Sequence, residues 1–188
     1  ALALLDDNSF VACGRDTPAV LVSAPPRRSR AFDTPADVIH VPFNQRWVVL
    51  AGFAGVSVVE RKDLAVVAGA APIPSRYRLR APGVLALASN SLGTKLYATV
   101  PAEGKLLILS LPDLKVIAER KVPGLAAGQP SVNGTRICVP TESGVAILDE
   151  ETEAAEVVPC GEGPKNCLYV GKQLWVARSA ASAIDLVE

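Results

Sequence analysis

The stretch "SVNGTRICVPTESGVAILDEETEAAEVVP", Ser131 to Pro159, is the one whose reading decides the fold. It reads as three short strands joined by tight turns. Asn133-Gly134 between two apolar runs is a strong hairpin signal, since both residues tolerate the positive φ of a tight turn. The run "GVAILD" meets the charged turn "DEET", and a more polar strand, "EAAEVVP", follows. A unit of this kind either stands alone or is one copy of a repeat, and a repeat would set the architecture of the whole chain.

The arrangement recurs. Gly134 lies three residues before Ile137, Gly93 three before Leu96, Gly171 three before Leu174, Asn44 three before Trp47, and Asn8 two before Phe10. Each anchor strand is followed by a second apolar strand: "AVLVSA", "GVSVVE", "KLLILSL", "GVAILD" and "SAIDLVE". A short strand precedes each anchor turn, as in "VIHVPF" and "VLALAS", and a more polar strand such as "KVIAERKV" closes a unit. The anchors fall 37 to 49 residues apart, the period of a propeller blade.

The anchor strands "WVVLAG", "FVACG" and "LYATV" are apolar at both parities. A strand of that kind must be covered on both faces, and blades standing face to face around an axis do this to their inner strands. Outer strands can be wetter. In "SRYRLR", Arg76, Arg78 and Arg80 share one face at period two, and Tyr77 and Leu79 share the other. Fifteen Pro and fourteen Gly leave no amphipathic window of helical length. A β-sandwich has short strands at similar spacing, but the repeated four-strand order favours the propeller. The expected fold is therefore all-β: a β-propeller of four-stranded antiparallel blades, about four complete and a fifth partial. The units are 1–36, 37–83, 84–128, 129–166 and an incomplete 167–188, in one domain. The fifth unit stops after its third strand, and the first begins with its own first strand. The open edge this leaves is expected to be covered by the rest of a larger ring, by a partner chain or by a second copy.

Composition narrows the function. Nineteen basic and nineteen acidic side chains cancel, which argues against a general nucleic-acid binder. Hydrophobic residues make up 49% of the 188, so the chain is not disordered. No apolar run approaches the ~18 residues of a membrane span. "ALALLDD" lacks the regions of a signal peptide, and the chain contains no Met, which reads as processing or as a piece of something longer. Cys13 and Cys138 sit in apolar runs, while Cys160 and Cys167 flank "GEGPKN" and could be bridged. The balance points to reduced thiols and an intracellular setting.

The stretches "NSLGTKLYATVPAEGKLLILSLPDLKVIAERKVPG" and "VNGTRICVPTESGVAILDEETEAAEVVPCGEGP" resemble β-propellers of the WD40 and YVTN kind. The shared pattern is a Gly turn, an aromatic or apolar strand, a second strand, an acidic turn and a closing Gly-Pro. The resemblance covers residues 84–164 well and the rest loosely. No Trp-Asp dipeptide ends a strand and no Gly-His pair opens a unit, so the WD40 hydrogen-bond tetrad does not carry over, and neither does any catalytic motif.

A search for chemistry finds little. His40 is the single His, and it reads as structural. Cys160 and Cys167 lack the second pair that zinc requires. "TESGV" is no nucleophile elbow and "GLAAGQP" no phosphate loop. "LDEETE" lacks the turn glycine of a calcium site. No cofactor is expected. The basic segments "PPRRSR", with Arg27, Arg28 and Arg30, and "SRYRLR" read as solvated outer strands or as a surface for an acidic protein partner. The second unit carries extra length around "AAPIPSRYRLRAPG", where functional loops are often found. The loops between second and third strands belong on one rim and present Asp16, Phe53, Glu103, Glu142 and Arg178; Phe53 sits between glycines in "GFAG". Exposed aromatics with mixed charge suit protein contacts. The function expected is a non-catalytic scaffold that binds protein partners through Asp16, Phe53, Glu103, Glu142 and Arg178 on the rim and Arg76, Arg78 and Arg80 on the outer strand. The alternative is an enzyme or ligand binder of the YVTN kind, its axial channel lined by His40, Ser89, Asn90 and Ser131.

Overall fold

The computed structural model describes residues 1–6, 9–14, 17–23, 28–64, 71–161, 163–170, 173–178 and 182–187. The turn positions Asn8 and Gly171, and Arg27 of the first basic segment, lie outside the described residues. Within them run nineteen strands and no α-helix. Sheet 1 is formed by β1 (Leu2–Asp6), β2 (Ser9–Ala12), β3 (Pro18–Ser23) and β4 (Arg28–Pro35). Sheet 2 comprises β5 (Val38–His40), β6 (Trp47–Gly52), β7 (Gly55–Glu60) and β8 (Tyr77–Leu79). Sheet 3 comprises β9 (Ala86–Ser89), β10 (Lys95–Val100), β11 (Lys105–Ser110) and β12 (Val116–Lys121). Sheet 4 comprises β13 (Ser131–Asn133), β14 (Arg136–Thr141), β15 (Gly144–Asp149) and β16 (Ala155–Val158). Sheet 5 has three described strands, β17 (Pro164–Val170), β18 (Gln173–Arg178) and β19 (Ala183–Val187). Strands pair in chain order within every sheet, each with its neighbour, antiparallel.

The first strands form an inner row: β1 lies beside β5, β5 beside β9, β9 beside β13 and β13 beside β17. The sheets therefore stand side by side about a common inner edge, a propeller-like arrangement. Four separate apolar clusters fill the four gaps. Val11, Leu21 and Phe32 of sheet 1 meet Val48, Leu50 and Val59 of sheet 2. Trp47, Val49 and Val58 on the other face of sheet 2 meet Leu87, Leu96 and Leu109 of sheet 3. Tyr97, Leu106 and Ile108 then meet Ile137, Val139 and Leu148 of sheet 4. Cys138 and Val145 meet Cys167, Leu174 and Val176 of sheet 5. This is why the anchor strands are apolar at both parities: alternate residues of one strand enter different gaps.

Three details differ from the sequence reading. The position equivalent to Leu96, Ile137 and Leu174, each facing the preceding sheet, is Val48 and not Trp47, which faces the following sheet. And in the opening hairpin Asn133 pairs with Arg136, so Gly134 and Thr135 are the central residues; Gly134 alone takes a positive φ, 61°, as a type II′ turn requires. Sheet 5 also begins early, at Pro164, because β17 pairs along its length with β18.

The extra length of the second unit has a structural use. Ile73 pairs in parallel with Phe32, its N–H donating to the Ala31 carbonyl at 2.8 Å while Asp33 N–H donates to the Ile73 carbonyl at 3.0 Å. Arg30 Nε donates to the Ala71 carbonyl at 2.7 Å. Ser75 donates to the Asp33 carboxylate from its backbone (3.1 Å) and its hydroxyl (2.8 Å). Ala71–Ser75 thus runs along β4 and covers the outer edge of sheet 1, with Ile73 fully buried. All four cysteines are free thiols; Cys138, Cys160 and Cys167 share the gap between sheets 4 and 5, and burial pushes the Cys138 thiol up to about 11. No helix among the described residues is long and apolar enough to cross a membrane.

Candidate functional site

Second strands end, and third strands begin, on the rim that also carries the connections between sheets. In β6–β7, Gly52 pairs with Gly55, leaving Phe53 and Ala54 as the two turn residues. Gly55 follows with φ 121°, and a side chain there would strike the Leu79 carbonyl at 2.1 Å. That glycine lets β8 pass close and fixes the turn. Phe53 stands 81% exposed.

Phe53 overhangs two clefts. One, of about 600 Å³ between sheets 2 and 3, is bounded by Asp37, Val84, Leu85, Pro101 and Ala102. The other, of about 140 Å³, lies against Pro35, Ala36 and Gly52. Pro101–Glu103 forms a single 3-10 turn closed by Gly104 in the left-handed region. Of the lining groups, Asp37, Val84, Leu85, Pro101 and Ala102 were not foreseen. They come from connections between sheets, whose position depends on the stacking and not on local pattern.

Five of the eight expected residues lie on this rim, Phe53 and four more. Arg80 lies beside Gly55 at the end of the outer strand, close to Phe53, and has no ion pair among the described residues. Glu103 pairs with Lys105 Nζ at 2.6 Å, an interaction that, with Glu119 at 3.2 Å, raises the lysine's pKa. Glu142 is exposed in the β14–β15 turn, its backbone N–H donating to the Leu125 carbonyl at 3.1 Å. Arg178 is the last residue of β18 and is half-buried: its Nε lies 2.7 Å from Asp185 Oδ2 and its Nη2 donates to Oδ1 at 3.0 Å. Asp16 lies outside the described residues.

The outer strand is less free than its charge suggests. Arg76 pairs with Glu60, whose nearly buried carboxylate also holds Lys62 at 2.9 Å and Arg46 at 3.7 Å; the Lys62 hydrogen bond leads in lowering its pKa. Arg78 donates to Asp33 Oδ2 at 2.5 Å, on the same carboxylate that anchors Ser75. Arg76 and Arg78 are therefore tied into the fold, whereas Arg80 is exposed at the rim.

At the inner edge, a cleft of about 510 Å³ touches the first strands or their lead-ins from all five sheets, including Leu2, Val38, Ala86, Gln129, Lys165 and Asn166. None of His40, Ser89, Asn90 and Ser131 lines it. His40 Nε2 and Ser89 Oγ hydrogen-bond to each other at 2.9 Å across sheets 2 and 3, and Asn90 Oδ1 accepts from Thr94 and Lys95 N–H. No group of three or more His, Cys, Asp or Glu among the described residues is arranged to hold a metal ion.

Comparison with known proteins fits the fold and goes no further. No protein-family model matches the chain, and no curated protein matches it. Among solved structures, the computationally designed Ika8 protein overlays all of this chain on 57% of its own length, with TM-score 0.75 and 11% identity. Hydrazine synthase of Kuenenia stuttgartiensis overlays 80% of this chain on 45% of its own, with TM-score 0.61 and 16% identity. The chain thus spans about half the length of these neighbours. At such identities the likeness is one of fold alone: all-β and propeller-like.

Proposed function

We propose that this chain is a non-catalytic propeller module that binds protein partners through the rim bearing Phe53. The observation that carries the reading is a large aromatic held in water between two clefts by a glycine-flanked turn. An exposed ring beside open clefts suits an interface anchor, and Asp37 in the cleft wall and Arg80 beside Gly55 supply the mixed charge such anchors usually have. A partner segment would lay an apolar side chain into the cleft against Val84, Leu85 and Pro101 while packing on Phe53.

The test is a photo-crosslinker placed at position 53 to identify the partner, followed by titration of that partner. Phe53→Ser should weaken binding about 30-fold, the effect of losing an anchor worth ~2 kcal/mol. Equal affinity of the variant would refute the reading. The competing reading is a small-ligand site in the inner cleft, favoured by a volume in the range of ligand pockets and by the presence of Lys165 and Asn166. A ligand-induced rise in melting temperature that Phe53→Ser leaves intact would select it.

A further inference from the structure

The rim opposite Phe53 carries the turns that open the second strands, and two of these turns present large apolar side chains to water. Phe43, between β5 and β6, is 82% exposed, and Leu92, between β9 and β10, is 71% exposed. Hydrogen bonds hold both turns in place. Gln45 N–H closes the first on the Pro42 carbonyl at 2.8 Å, and Gly93 N–H closes the second on the Asn90 carbonyl at 3.0 Å. Asn44 ties one turn to the other. Its Nδ2 donates to the Leu92 and Gly93 carbonyls at 3.3 and 3.2 Å, and its Oδ1 accepts from Arg46 N–H at 3.0 Å. A side chain at Gly93, where φ is 64°, would strike Asn44 Nδ2 at 2.4 Å, so glycine is what lets the two turns close up. Phe43 and Leu92 thus stand on adjoining turns of sheets 2 and 3, each of which has another sheet on either side.

The ground beside these turns is positive. Arg46 lies over the Trp47 ring, 5.0 Å from its centroid. Arg46 at 3.7 Å and Lys62 at 2.9 Å converge on the Glu60 carboxylate, with Arg76 on the same oxygen as Lys62. Glu60 is nearly buried, whereas the Arg46 and Lys62 side chains are each 67% exposed. Among the described residues, Arg46, Arg61, Lys62 and Arg76 set four positive side chains against the two negative ones of Glu60 and Asp63. We propose that Phe43 and Leu92, with Arg46 and Lys62, form a second contact surface, and that its occupant is an acidic segment of a partner protein carrying a large apolar side chain. Charge complementarity selects that chemistry. The apolar group packs on Phe43 and Leu92 while a neighbouring carboxylate meets the donors that Arg46 and Lys62 turn to water. The same rim decides against an anionic membrane. The turn between β15 and β16 places the exposed Glu151 and Glu153 on it, and a plane of anionic headgroups broad enough to take up Phe43 and the cations would press on these carboxylates as well. A short segment touches the positive corner alone. This surface goes beyond the Phe53 reading and stands on other residues, at the opposite ends of the strands.

Panning a library of displayed random peptides against the purified chain tests it. Enriched peptides should combine a large apolar residue with Asp or Glu. Their affinity should fall about tenfold with Phe43→Ser and with Leu92→Ser, the loss expected of a contact anchor. Arg46→Ala should weaken binding about threefold and flatten its decline with added salt. Should that variant melt early, because Arg46 packs over Trp47, Lys62→Ala tests the same charge. Phe53→Ser should leave these affinities unchanged, so that this surface and the Phe53 rim stand or fall separately. Vesicles of phosphatidylcholine with about 30% phosphatidylserine should not carry the chain down on sedimentation. A library that yields no peptide both acidic and apolar overturns the proposal. So do enriched peptides that bind Phe43→Ser and Leu92→Ser as they bind the parent, or sedimentation with the vesicles that Phe43→Ser abolishes.

Discussion

His40 sits between two sheets, bonded to Ser89, and burial holds its pKa down to about 4. The folded state therefore refuses a proton that the unfolded chain accepts below about 6.5. Stability contributed by neutral His40 is full above that value and is lost as pH falls toward 4, roughly 3 kcal/mol at most across that window. Asp33, Asp113 and Asp149, whose pKa values are lowered, act in a separate window: their contribution is lost below about 4, as each carboxylate takes up its proton. His40→Gln, which keeps a polar group facing Ser89, should flatten the decline in urea midpoint between pH 6.5 and 4.5. A slope equal to that of the parent would count against burial as its cause. The sequence reading takes His40 as structural; in the fold its ring is buried and bonded to Ser89. The exposure of Phe53 was open from sequence, because "GFAG" says where the turn is and not which way its ring points.

At the scale of strands, glycine opens the third strand in sheets 2 and 4 for a reason the local sequence does not contain. A side chain at Gly55 (φ 121°) would meet the Leu79 carbonyl at 2.1 Å, and one at Gly144 (φ 153°) the Val158 carbonyl at 2.4 Å. Both obstacles lie on the fourth strand, 14 to 24 residues away. Gly55→Ala and Gly144→Ala should each cost about 2–4 kcal/mol, combining backbone strain with displacement of an edge strand. Gly83→Ala, at φ 77° with open space around it, should cost only about 1 kcal/mol. Thermal melts of the three variants give the order; equal losses would show that conformation alone matters. Hairpins, strand order and the sheet count were legible, since turn chemistry and two-sided apolarity are local signals. The facing of Trp47 was not. Counting from the turn presumes turns of equal length, yet Val132 pairs with Ile137 five residues on, while His40 pairs with Val49 nine on. The seating of Ala71–Ser75 on β4 was hidden for the same reason as the glycine contacts: it joins distant parts of the chain.

Across the whole molecule, the four apolar clusters share no residue. Each sheet is held by its neighbours, so stability should behave as a row of interfaces rather than as one core. The interfaces are unequal. Among the described residues, fourteen buried ones lie between sheets 2 and 3 and five between sheets 4 and 5, where each buried aliphatic side chain adds about 1.5–3 kcal/mol. Amides of β17–β19 should therefore exchange with deuterium faster than those of β6 and β10 in the isolated chain. Val176→Ala should widen that difference while leaving β6 and β10 unchanged; uniform loss of protection would reveal a single cooperative unit instead.

Sheet 1 wears Ala71–Ser75 as a hem over its outermost strand. Amides and carbonyls of β4 that a stray extended peptide could grip are thus engaged from within the chain. Fibrous misassembly, when heat provokes it, has to unpick that stitching before it can seed on β4.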